Sequence, residues 1–310
     1  MKYHPNCEQL ALGSTIEESL VKLLPLARLH SSYHEDTATW QSLEEIGVFG
    51  IGVSEESGGS GLGAVEEALI VMSLGRRLAA PAVLATIGAA SLSRTGRAAA
   101  AYRCGNRITL VDEPGVPFVL LRDSSGAALY DSRVCHSNPT DNRLWLANLC
   151  DMADPTGAPL ERLNESQLSR LRLLDAAALA GIADTALEAS VAYAQTREQF
   201  GRPIGSFQAV KHHCANMAIA ARCARDQTNF AAVALDEGRP GAPLEVEYAF
   251  LVASSAALEN ASLSIQIHGG MGFSDEADPH LFLKRARLLV AIAGGPEAAS
   301  RRIASNRRGE

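Results

Sequence analysis

The stretch "YAQTREQFGRPIGSFQAVKHH", Tyr193 to His213, decides how the second half of this chain is read. Its spacing predicts a helix ending near Phe200, with Gly201 as the stop. Pro203 and Gly205 fill a short turn, and Gln208 stands on the next helix. Alanine-rich runs extend outward on both sides: "LLDAAALAGIADTALEASVAYAQTREQF" before it, then "QAVKHHCANMAIAARCARDQTNFAAVALDEG" and "LEVEYAFLVASSAALENASLSIQIHGG" after it. With "PHLFLKRARLLVAIA" these make four long helices on short loops, the pattern of an up-down bundle. Abundant alanine favours helix and lets neighbouring helices approach closely.

Upstream, Ser14 to Ala101 also reads as helical, with apolar stripes in "TIEESLVKLLPLARLH", "AVEEALIVMSLGRRLA" and "AVLATIGAASLSRTGRAAAAY". The glycine-dense "IGVFGIGVSEESGGSGLGA" (Ile46–Ala64) fits neither G-x-G-x-x-G nor the P-loop pattern, so it is expected to be a tight connection between helices rather than a phosphate cradle. Between the helical halves lie short β-prone runs, "RITLVD", "PFVLLRD", "GAALYD" and "RLWLAN", which predict a small antiparallel sheet of about four strands. "DMADPTGAPLERLNES" then reads as a linker. The expected fold is mainly α with a small β region: an N-terminal helical domain over 1–105, a β domain with linker over 106–165, and a C-terminal bundle over 166–310.

Composition bounds the function. The chain of 310 residues is 47% apolar and 20% charged, ordinary globular values that leave no room for long disordered tails. A net charge of −7 argues against nucleic acid as the main partner. The basic pairs Arg301-Arg302 and Arg307-Arg308 are expected on a solvated helix end. The 6 cysteines show no C-x-x-C spacing, which favours reduced thiols. There is no apolar signal core and no run long enough for a membrane span, so a cytoplasmic protein is expected.

Two stretches carry candidate chemistry. In the first, Arg197 and Phe200 at i, i+3 would share a face near a helix end, suiting an anion with a planar group attached; a capped helix end with a core phenylalanine reads equally from that spacing. In the second, "QIHGGMGF" (Gln266–Phe273), Gly269, Gly270 and Gly272 end a helix and allow close approach to the backbone, with Gln266 offering donor and acceptor one turn earlier. His268 and the pair His212-His213 are read as structural.

Taken together and in this order, the two stretches resemble the C-terminal domain of the acyl-CoA dehydrogenase family. "LEEIGVFGIGVSEESGGSGLG" is similar to that family's N-terminal helical domain, with Ser54 in place of the usual proline. The resemblance implies an FAD cofactor lying at a subunit interface, with Arg197, Phe200 and Gln208 holding its adenosine diphosphate part. Gln266, Gly269 and Gly270 would reach the FAD from the neighbouring subunit. Three departures qualify it. The family's "TEP.aGSD" and "W.TNA" segments are absent, "VDEPGVP" keeping only an echo, so the β domain is read as truncated. Aligned on "KRARLLVAIAGG", the position of the family's catalytic glutamate is Ala293, Gly294 keeps the glycine, and Gly295 replaces the threonine. The alternative base position on an earlier helix falls at Leu171. No catalytic residue is therefore assigned, and Asp175 and Glu297 are the carboxylates that remain as substitutes.

The pattern resembles the shortened, base-lacking subunit of heterotetrameric (α2β2) bacterial steroid side-chain acyl-CoA dehydrogenases. That implies α,β-desaturation of a bulky acyl-CoA, a full-length homologue as partner, and electron-transferring flavoprotein as acceptor. A self-sufficient homomeric flavoenzyme using Asp175 or Glu297, and a non-enzymatic scaffold, are the alternatives.

Overall fold

A computed structural model describes residues 3–90, 92, 96–113, 115–140 and 146–306. The chain opens with α1 (Cys7–Leu23), α2 (Thr37–Glu45), α3 (Ala64–Arg76) and α4 (Pro81–Ala90). Asn6 and Asp36 cap α1 and α2 by accepting from backbone amides of the first turn. The glycine-dense connection before α3 folds on itself: the amides of Ser60, Gly61 and Leu62 donate to the carbonyls of Gly50, Val53 and Ile51 at 2.8–3.0 Å. Those donors are used internally and do not present a phosphate cradle, as the sequence led one to expect.

Seven strands form one sheet: β1 (Ala98–Cys104), β2 (Arg107–Asp112), β3 (Phe118–Asp123), β4 (Gly126–Asp131), β5 (Ser137–Pro139), β6 (Asn148–Met152) and β7 (Glu161–Arg162). Their order is β5-β6-β2-β1-β3-β4-β7, antiparallel except that β1 and β3 run parallel. This corrects two expectations. Ala98–Ala101, read as the end of a helix, is the start of the central strand. Alternate residues bury opposite ways: Ala98 and Ala100 join the main core, Ala99 and Ala101 a smaller core on the far face. With both faces covered, burial between β2 and β3 overrides alanine's helical preference. The supposed linker also supplies strand residues in β6 and β7, so the sheet has more than four strands. Of "RLWLAN", Arg143–Trp145 lie outside the described residues.

The second half is the bundle: α5 (Glu165–Thr196), α6 (Gln208–Asp236), α7 (Ala242–His268) and α8 (Pro279–Ile292), followed after a break by α9 (Gly295–Asn306). A two-stranded hairpin, β8 (Glu198–Gln199) with β9 (Arg202–Pro203), joins α5 to α6. The N-terminal helices lock onto α5 through reciprocal glycines. A Cβ on Gly75 would stand 2.1 Å from the Ala178 carbonyl oxygen, and one on Gly181 2.0 Å from that of Met72. Asp236, at the end of α6, accepts from the amides of Ala64 and Val65 at 2.7 and 3.0 Å and so caps α3 from across the molecule.

Candidate functional site

One candidate region is the exposed end of the bundle. α5 stops at Thr196, one turn earlier than the spacing predicts, and Arg197 is its extended C-cap. Phe200 (φ +54°) and Gly201 (φ +73°) are the two central residues of the hairpin turn. Two consecutive left-handed residues match the right-handed twist of paired strands. Arg197 and Phe200 therefore do not share a helix face, because hairpin pairing wins over helix continuation. The turn pushes Phe200 outward until it is 91% exposed, so it is not a core phenylalanine. Beneath it, the Arg202 guanidinium sits 4.2 Å from the Phe207 ring.

The second stretch arrives at the same end. The Tyr193 ring, one turn before Arg197, stacks on His268 with centroids 4.1 Å apart. His268 Nδ1 lies 2.7 Å from the Ser264 carbonyl, which fixes that nitrogen as the donor. Burial holds the His268 imidazole below its ordinary pKa, so the ring is neutral at pH 7. Its stack and its bond fit the structural part assigned to it. Gly269 (φ +61°) turns the chain out of α7, and Gly272 folds it back so tightly that a Cβ there would meet the Ile265 carbonyl at 2.5 Å. Gln208, Gln266, Gly269 and Gly270 are all exposed, and nothing lies within 4 Å of a Cβ built on either of these two glycines.

A second region is the break between α8 and α9. Ala293 caps α8, and Gly294 (φ +88°) and Gly295 (φ +78°) follow in succession. Two left-handed residues in a row reverse the backbone at a cost only glycine avoids. Ala293 lines a cavity of about 390 Å³ between the sheet and the bundle. Asp123 is the only carboxylate among its described lining residues. Its Oδ1 accepts from the backbone and hydroxyl of Ser125 at 2.7 and 2.6 Å. Of the substitute bases, Asp175 is buried with both oxygens held by the Arg122 guanidinium at 2.9 and 2.6 Å. Glu297 is exposed in the first turn of α9. Leu171 is buried and apolar.

Sequence reasoning missed the cationic wall of this cavity. Arg302, expected on a solvated helix end, instead binds buried Glu247 through both oxygens at 2.7 and 2.9 Å. Arg172 reaches the same carboxylate at 3.2 Å. Helical spacing could have placed Arg172 and Arg302 on their helices, but their convergence depends on how α5, α7 and α9 pack. Arg307 and Arg308 lie outside the described residues. Among the described residues no helix is long and apolar enough to cross a membrane.

Comparison with known proteins settles the kinship. Residues 7–105 match the acyl-CoA dehydrogenase N-terminal domain and residues 162–308 the acyl-CoA dehydrogenase C-terminal domain. Acyl-CoA dehydrogenase IpdE2 of Mycobacterium tuberculosis is 31% identical over 295 residues, covering 90% of this chain and 89% of that protein.

This chain belongs to the acyl-CoA dehydrogenase family.

The fold agrees. The ChsE4-ChsE5 complex of Mycobacterium tuberculosis superposes with TM-score 0.78 at 22% identity, covering 100% of both chains. The Tcur3481-Tcur3483 steroid ACAD superposes with TM-score 0.73 at 21% identity, covering 96% of both. Acyl-CoA dehydrogenases are oxidoreductases acting on CH–CH bonds, and FAD is the family's cofactor. The open end of this dehydrogenase-family bundle fits such a group. Arg197 has no carboxylate partner among the described residues, two glutamine amides are free to donate, and the bare backbone at Gly269 and Gly270 leaves room for a nucleotide.

Proposed function

We propose that this chain is one subunit of a heteromeric FAD-dependent acyl-CoA dehydrogenase, completing a shared flavin site in trans while its partner supplies the catalytic base. The observation that carries the reading is Ala293 at the α8–α9 break. The backbone there keeps its left-handed glycines, but the side chain is a methyl group and cannot take a proton. Asp175 is held by Arg122 and Glu297 faces solvent, which favours this reading over a self-sufficient enzyme.

In this scheme Arg197 neutralises pyrophosphate charge, and Phe200 and Gln208 position the adenosine end. Gln266, Gly269 and Gly270 meet the cofactor belonging to the facing subunit. The bound flavin would supply hydride acceptance from the β-carbon of the acyl thioester. The α-proton would go to a carboxylate of the partner, a full-length dehydrogenase homologue, and electrons would leave through electron-transferring flavoprotein. A methyl group in place of a carboxylate leaves space for a bulky acyl group, and the resemblance to steroid side-chain dehydrogenases makes such an acyl-CoA the substrate class. The N-terminal helical domain, the β domain with its linker and the bundle are assigned to 1–105, 106–165 and 166–310, with the last residues of the first, Ala98–Cys104, joining the sheet as β1.

Co-expression with a full-length homologue tests the proposal. About one FAD per heterodimer, with activity absent from either chain alone, is the expected result; one FAD per chain rejects it. Arg197→Ala is expected to lower the flavin content of the complex. Unchanged flavin in that variant would favour a scaffold that completes no cofactor site.

A further inference from the structure

A second cavity, of about 520 Å³, lies in the N-terminal helical domain, between α2, the glycine-dense connection and the segment running from α4 into β1. Among the described residues it shares no lining residue with the cavity at the α8–α9 break, and none of the residues placed in the flavin site lines it. α4 is the partition. Its Thr86 and Ala90 line this cavity, whereas Leu84 and Ala85 turn toward Leu171, Asp175 and Ile292. The glycine wall is fixed by its own bonds: the amides of Gly47, Gly50, Val53, Gly58, Gly59 and Ser60 all donate to carbonyls of the connection or of the end of α2. A Cβ on Gly59 would meet the Val53 carbonyl at 2.3 Å, so the turn closes only on glycine, and nothing lies within 4 Å of a Cβ built on Gly47 or Gly58. The wall is therefore preformed, free of side chains and short of backbone donors. Beside it stands a stack. The Phe49 ring lies 5.3 Å from that of Trp40 at 22°, and the Arg97 guanidinium 4.6 Å from the Trp40 centroid. Trp40 is buried, and its indole N–H has no hydrogen-bond partner among the described residues. Arg97 is half-buried and makes no ion pair among them.

We propose that this cavity binds an aromatic monocarboxylate, with Arg97 as the anchor for its carboxylate. A guanidinium laid against an indole ring keeps its N–H fork in one plane, which matches the two oxygens of a single carboxylate. The stack on Trp40 fixes that fork before the ligand arrives. A phosphate would find one cation and no cradle, because the backbone amides of the glycine wall are already spent. Glu44 is the other charged residue on the described lining, which disfavours a second negative charge on the ligand. Phe49, Val53 and Ala90, with the bare peptide planes of the glycines, suit a flat apolar body. The volume lies in the range of small-molecule pockets and exceeds what one carboxylate fills. The inference stands on this cavity alone and does not depend on the shared-flavin reading.

Calorimetric titration of the purified chain, alone or in its complex, with sodium 2-naphthoate tests it. The neutral 2-naphthalenemethanol and the dianionic 2,6-naphthalenedicarboxylate are the controls, at matched ionic strength. One 2-naphthoate per chain is expected, bound at least about tenfold more tightly than either control. Arg97→Ala should weaken its binding at least about tenfold, with Arg97→Lys restoring part of it. Removing Arg97 also uncovers Trp40, so Ala90→Trp serves as a second variant. It keeps Arg97, fills the cavity from the end of α4, and should abolish binding while the chain stays folded by circular dichroism. Arg301→Ala and Arg197→Ala should leave the affinity unchanged. Absence of saturable binding, a control bound as tightly, or full affinity in Arg97→Ala or in folded Ala90→Trp overturns the proposal. Loss of binding in Arg301→Ala or Arg197→Ala also overturns it, by assigning the carboxylate to the α8–α9 cavity or to the exposed end of the bundle.

Discussion

Arg285 carries a buried charge without a partner. It is fully buried on α8, and none of its three guanidinium nitrogens has a hydrogen-bond partner among the described residues. Burial lowers its pKa to about 9, against the opposing pull of Glu35 and with Arg28 adding to the depression. The neighbouring Arg28 already takes both oxygens of Glu35, at 2.8 and 2.7 Å, which leaves Arg285 without that partner. Replacing an uncompensated buried charge by an apolar side chain of similar length removes its desolvation cost. Arg285→Met is expected to stabilise the fold by about 1–4 kcal/mol, read as a higher denaturation midpoint. The sign of the pH effect follows from linkage. Above about pH 9 the folded state releases this proton before the unfolded state does, so the contribution of Arg285 to stability rises with pH from there toward the ordinary arginine value. Arg285→Met should remove that rise. Asp175 makes the opposite case. Breaking its buried pair by Arg122→Ala should cost about 3–5 kcal/mol, whereas the apolar double variant Arg122→Met with Asp175→Leu should recover most of it. If the complex bearing that double variant keeps its activity, Asp175 is structural; if it folds but loses activity, Asp175 acts as a base.

Among the elements, α3 and α5 depend on glycine at their crossing. Gly75 and Gly181 each face a backbone carbonyl of the other helix, and backbone cannot swing aside as a side-chain tip can. Gly75→Ala and Gly181→Ala are each expected to destabilise by about 1–3 kcal/mol or more in chemical denaturation, although alanine is the better helix former. The hairpin after α5 is a second contest between elements. The sequence "REQFGRP" is compatible with a helix running on to Phe200, and only the pairing of Glu198–Gln199 with Arg202–Pro203 shows that it does not. β1 is a third. "AAAAYRC" carries no alternation of apolar and polar residues, because it is covered on both faces, and periodicity cannot tell such a strand from a helix. By contrast "RITLVD", "PFVLLRD" and "GAALYD" were legible as strands, since β-branched and aromatic residues lie between turn residues.

For the whole molecule, the exposed apolar side chains matter most. Phe200 (91% exposed), Phe273 (76%) and Met271 (46%) belong to the two stretches joined by the Tyr193–His268 stack, and Ile219 (64%) lies on α6. Large exposed apolar groups on stretches brought together in this way mark surfaces that another chain covers. Phe273→Asp is expected to leave the isolated chain folded by circular dichroism and to weaken its assembly with the partner in size-exclusion chromatography. Unchanged assembly would place the interface elsewhere.

By itself the sequence determined the bundle, the helical N-terminal region up to α4, family membership and the absence of a carboxylate at Ala293. These are local matters of period, turn chemistry and residue identity, which need no knowledge of neighbours. Only the tertiary structure decided that Ala98–Ala101 is strand, that Phe200 stands out in a hairpin, that Asp175 is engaged by Arg122, and that Arg172 and Arg302 meet over one glutamate. The two charge pairings join segments more than 50 residues apart and leave no periodic trace in either; the strand and the hairpin depend on pairing with neighbouring segments, which the residues' own periodicity does not report.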